Sequence, residues 1–147
     1  MSEALSPYLA AFNRGFSGVL RWPQLDALWD RLRLRADEGW YVYAVGEPPP
    51  GEPVSADALL AFISEVDILL RQEHDEDYCG VVYADDLGHP SFIKIYDPNH
   101  LGSSCGSSAL RVLPGWTLSL IPPVDLPQAM PQTGSRRRWW QKLLGQG

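Results

Sequence analysis

The chain has 147 residues, 45% apolar and 20% charged, with a formal net charge of −6. That is the size and composition of one globular domain able to fold without a disulfide or metal. Charge is uneven: Arg136, Arg137, Arg138 and Lys142 stand in a tail without acids, which leaves −10 on residues 1–135. So acidic a body repels phosphates and argues against general nucleic-acid binding.

Leu5-Ser6-Pro7 predicts a helix start, with a staple residue, an N-cap and Pro at the first helical position. This short helix runs to about Asn13 and ends near Gly15. Trp22-Pro23 opens a second helix, with Leu25, Leu28, Trp29 and Leu32 on its apolar face and Gly39 as its stop. Trp40–Val45 is aromatic and β-branched and reads as a strand. Gly46-Glu-Pro-Pro-Pro-Gly-Glu-Pro53 is a loop. Ser55 then caps the clearest helix, whose stripe is Leu59, Phe62, Ile63, Val66, Leu69 and Leu70, with Glu65, Asp67 and Arg71 off it. Strands follow near Tyr78–Ala84 and Ser91–Tyr96, joined by a hairpin loop, and a last strand covers Trp116–Ile121. Asp97-Pro98-Asn99 ends the second of these, and 97–110 reads as irregular.

The order ααβαβββ predicts a single α+β domain over residues 1–121. Its expected core is β-α-β-β-β, a mixed or antiparallel sheet of about four strands with helices on one face. A thioredoxin-like α/β arrangement is the alternative, although Cys-x-x-Cys is absent. Residues 122–135 read as a Pro/Gln/Gly linker, and 136–147 as a basic, Trp-rich amphipathic tail.

Both cysteines and all three histidines lie between His74 and Cys105. His74-x4-Cys79 and His100-x4-Cys105 supply the residue types of a tetrahedral zinc site. The spacing lacks the close ligand pairs of structural zinc and straddles different predicted elements, so no metal or other cofactor is expected. Cys79 reads as a small buried apolar residue. Cys105 to Arg111 satisfies Cys-x5-Arg, a phosphate-loop pattern, but it neither leaves a strand directly nor runs into a helix. The residues that would carry thiol chemistry are Cys105, His100, Asp97 and Arg111. No complete catalytic set is present, and a structural Gly/Ser loop accounts for the same residues.

Two charged features point to binding. Glu73, Asp75, Glu76 and Asp77 follow the long helix, with Asp85 and Asp86 expected near them as an acidic docking patch for a basic partner. Arg136, Arg137 and Arg138 precede Trp139, Trp140, Leu143 and Leu144, an apolar arc if helical, suited to a partner groove or an anionic membrane surface. The leading expectation is a non-enzymatic protein-binding accessory, adaptor or immunity-type protein. The alternatives are a Cys105-centred thiol enzyme or Cys/His metal protein, and a peripheral membrane protein anchored through 136–144. With neither a leader nor a spanning segment in the sequence, the expected address is the cytoplasm.

Overall fold

Alternation along the strands decides what each element covers. In the computed structural model, which describes residues 6–73, 79–98, 113–124 and 126, the elements are α1 (Pro7–Phe12), β1 (Ser17–Gly18), α2 (Trp22–Leu34), β2 (Tyr41–Ala44), α3 (Ala56–Glu73), β3 (Val82–Ala84), β4 (Phe92–Ile95) and β5 (Trp116–Ser119). The five strands form one sheet in the order β1-β3-β4-β5-β2, and every pairing is antiparallel. The α+β class read from the sequence is the class observed. The sheet has five strands rather than four because the two-residue β1 adds an edge. An all-antiparallel sheet has none of the parallel pairing that a thioredoxin-like arrangement requires.

The main core lies on one face of the sheet. Val42, Ala44, Val82, Ala84, Ile93, Ile95, Trp116 and Leu118 pack there against the apolar stripes of α2 and α3. Each large side chain so buried contributes about 1.5–3 kcal/mol. Their period-two neighbours turn to the other face, where Tyr43 and Phe92 pack with Tyr8 and Ala11 of α1. The helices therefore divide between the faces, α2 and α3 on one and α1 on the other. The second core also takes Leu126, with Val124 packed against it, so the chain continues into the folded body beyond residue 121.

Local chemistry sets the helix ends. Ser6 Oγ accepts from the Leu9 N–H at 3.1 Å and Ser55 Oγ from the Ala58 N–H at 3.1 Å, each satisfying a donor that the first helical turn leaves open. Helix α2 begins at Trp22, where Gln24 Oε1 accepts from the Leu20 and Arg21 N–H groups at 3.1 and 3.0 Å. It ends at Leu34, and Gly39, at φ +91°, turns the chain toward β2.

Candidate functional site

The antiparallel registers sort the molecule into two ends. Val82 pairs with Ile95 and Ile95 with Trp116, which in turn pairs with Ala44. The start of β3, the end of β4, the start of β5 and the end of β2 therefore stand together. The N-terminus of α2 and the C-terminus of α3 stand there too, held by Arg71. The described residues that bracket 74–78 and 99–112, namely Glu73 and Cys79, and Pro98 and Leu113, are all at this loop end. The opposite, hairpin end carries the β3–β4 turn and the C-terminus of α2, joined where Arg35 Nη1 donates to the Pro90 carbonyl at 2.6 Å.

Of the acids expected to form one patch, the three described ones lie at both ends. Glu73 is exposed at the loop end, whereas Asp85 and Asp86 occupy the hairpin turn at the other end of β3. The hairpin acids also serve the turn itself. Asp85 accepts from the Ser91 and Phe92 N–H groups at 3.0 and 3.2 Å and from Ser91 Oγ at 2.6 Å. Asp86 Oδ1 accepts from the Gly88 and His89 N–H groups at 2.9 and 3.2 Å. Two carboxylates anchoring backbone donors in this way fix the turn. His89 belongs to this end as well, away from Cys79.

Two of the residues read as chemical candidates are described, and both are buried at the loop end. Cys79 is fully buried, and its N–H donates to the Leu20 carbonyl at 2.8 Å. Burial pushes its thiol pKa up, against smaller opposing effects of the Val81 and Val82 backbone and of Arg71. A thiol so placed is the packed apolar residue expected, not a ready thiolate. Asp97 is 3% exposed and lies against Gly115, where a Cβ would come within 3.3 Å of the Asp97 Cβ. Glycine at 115 permits that approach while its N–H donates to the Ile95 carbonyl at 2.8 Å. Among the described residues no group of three His, Cys, Asp or Glu side chains is placed to hold a metal. His74, Asp75, Glu76, Asp77, His100, Cys105, Arg111, Arg136, Arg137, Arg138, Trp139, Trp140, Leu143 and Leu144 lie outside the described residues.

The sequence did not single out the polar hub of the loop end. Arg71 Nε donates to both oxygens of Asp67 at 3.0 Å, and Arg71 Nη2 to Asp26 Oδ1 on α2 at 2.7 Å. Trp29 Nε1 donates to the same Asp67 at 3.0 Å, and the Arg71 guanidinium lies 4.8 Å from the Trp22 ring centroid. One cation thus ties two carboxylates and an aromatic ring across the α2–α3 seam. The i,i+4 spacing of Asp67 and Arg71 signals only the intrahelical part. Beside this hub two apolar side chains face solvent, Leu20 at 63% and Ile68 at 47% exposure, while Leu34 is exposed at the hairpin end.

The other sheet face has its own cluster. Lys94 Nζ lies 4.1 Å from the Phe12 ring centroid and 4.0 Å from that of Phe16. Tyr83 and Tyr96 meet edge to face beside it. Deeper in, the Tyr8 hydroxyl and Thr117 Oγ1 share a fully buried hydrogen bond of 2.8 Å. Of the six Trp, Trp29, Trp40 and Trp116 are core, and Trp22 is half-buried under Arg71. No described helix is long and apolar enough to cross a membrane. Comparison with protein-family models, curated proteins and solved structures finds no match.

Proposed function

We propose that this protein is a non-enzymatic binding protein, an adaptor, accessory or immunity-type factor, which engages a basic protein partner. The observation that carries this reading is the loop end of the α2–α3 pair. Leu20, two residues before Trp22, and Ile68, three before Arg71, are exposed near a hub of Arg71, Asp67 and Asp26, and Glu65 and Glu73 are exposed on the same α3. Apolar contact area ringed by charge is the composition of a protein-binding patch. An excess of acids directs it to a cationic partner by steering encounter and penalising anionic competitors.

The test is affinity capture from native lysate with the full chain, in parallel with an Ile68→Ser variant and a Glu65→Lys/Glu73→Lys variant. A specific partner should be basic, retained at low salt, released toward about 1 M salt as the Debye length falls to about 3 Å, and lost from both variants. A partner retained equally by all three chains refutes the reading.

A further inference from the structure

We propose that the loop end of the α2–α3 pair is the docking site for this chain's own basic tail, residues 136–144, bound in cis. Its parts meet at the α2 N-terminus and the C-terminal half of α3, which Arg71 joins. Leu20 is fixed against the α2 N-terminus through Gln24 Oε1, Trp22 opens that helix under the Arg71 guanidinium, and Ile68 stands one helical turn before Arg71 on the solvent side of α3. Leu20 and Ile68, exposed at 63% and 47%, are two of the three large apolar side chains exposed among the described residues.

Charge selects the occupant. Arg71 is matched by Asp67 and Asp26 together, which leaves the hub net negative. Exposed Glu65 and Glu73 on α3 add to it against exposed Arg21. The tail presents the opposite sign in Arg136, Arg137, Arg138 and Lys142. It also presents matching apolar groups in Trp139, Trp140, Leu143 and Leu144. Leu126, buried in the second core, anchors the tether, and the ten residues from it to Arg136 can span up to about 33 Å when extended, comparable with the width of a domain this size. Tethering also supplies an effective concentration near the millimolar range, so even a weak surface contact stays mostly closed. An external basic partner would have to displace the tail from the same surface. Docking in cis is nonetheless a separate claim from partner binding.

Trypsin cleavage at Arg136–Arg138 in the full chain, followed by mass spectrometry, reads the docked state. Relative to a free peptide of residues 130–147, cleavage should be slowed roughly tenfold, as expected for a tethered contact about 90% closed. The protection should be independent of protein concentration and disappear toward about 1 M salt. It should also be lost in Ile68→Ser and in Glu65→Lys/Glu73→Lys, and persist in Leu34→Ser at the hairpin end. All these positions are exposed, so an unchanged thermal midpoint checks that each variant folds, and the salt series on the unaltered chain needs no variant. Cleavage at the peptide's rate overturns the proposal, as does protection that ignores salt and the loop-end substitutions. Protection that grows with protein concentration also overturns it, because the occupant is then the tail of a second copy. Docking without any basic partner would leave this inference standing while refuting the proposed function.

Discussion

The Tyr83 ring lies across Gly18 so closely that a Cβ on residue 18 would come 2.9 Å from Tyr83 Cε2. The two residues are partners in the β1–β3 register, so the ring occupies the space that a side chain at position 18 would need. Gly18→Ala should destabilise the fold by about 1–3 kcal/mol through overpacking, read from the urea midpoint at unchanged slope. Adding Tyr83→Ala should make the Gly18→Ala step nearly neutral. An equal cost in both backgrounds would show that the ring does not set the constraint.

Lys94 between Phe12 and Phe16 couples α1 to the sheet. Lys94→Met keeps an apolar stem and removes the cation. A double-mutant cycle with Phe16→Leu should return a coupling of about 0.5–2 kcal/mol for a half-buried cation–π contact. Strict additivity would assign the contact no energetic role.

Asp67 and Asp26 both pair with Arg71, yet their loss should differ. Asp26 is 62% exposed in side chain, so Asp26→Ala should cost only about 0.2–1 kcal/mol. Asp67, at 24%, also accepts from Trp29 Nε1, and Asp67→Ala leaves that indole N–H without its acceptor. It should cost more, about 1–3 kcal/mol. Chemical denaturation of the two variants gives the order, and a larger loss for Asp26→Ala would contradict it.

Alkaline pH should loosen the second core. Burial raises the pKa of Tyr8 well above the ordinary tyrosine value, with the Thr117 hydrogen bond opposing that shift to a smaller extent. Folded protein therefore holds this proton at pH values where unfolded protein releases it. The resulting stability is fully present below pH about 10 and is lost as pH rises from there toward the folded-state pKa. Unfolding free energy measured by urea from pH 8 to 11.5 should fall above pH about 10, and fall less steeply in Tyr8→Phe. Parallel profiles would show that Tyr8 is not responsible.

Cys79 should label only when the fold opens. In a Cys105→Ser background, iodoacetamide should modify Cys79 far more slowly than a model thiol peptide at pH 8. The rate should rise with urea in step with unfolding. A native-state rate close to the peptide's would mean that the thiol is accessible, contrary to its burial.

The residues that wrote the fold into the sequence are those with strong local periodicity. The Leu59–Leu70 stripe, the Ser6 and Ser55 caps and the aromatic β2 all stand as expected. Helix α1 on the opposite face was not legible, because Tyr8 and Phe12 show an apolar side without saying which sheet face receives it. That choice depends on Tyr43 and Phe92 pointing away from Val42 and Ile93, a long-range property of register. Strand β1 was missed because two residues carry no period. At the candidate site, the buried thiol at Cys79 was readable from residue type. The Arg71 hub was not, because its Asp26 partner comes from another helix. Asp85 and Asp86 read as free surface charge, since sequence shows a carboxylate's sign but not the backbone donors it will hold.

The strand order carries a consequence for synthesis. Strand β2 emerges early but, among the described residues, its one strand partner is β5, some 70–80 residues later in the chain. No nascent segment that stops short of Ser119 can complete the sheet. Until then the aromatic β2 waits with its ladder groups unmatched and the helices α2 and α3 have only part of their floor. Pairing this remote slows folding and leaves a sticky strand exposed on the ribosome. The protein's yield in the cell should therefore depend on how fast translation passes β5 as much as on the stability of the finished molecule.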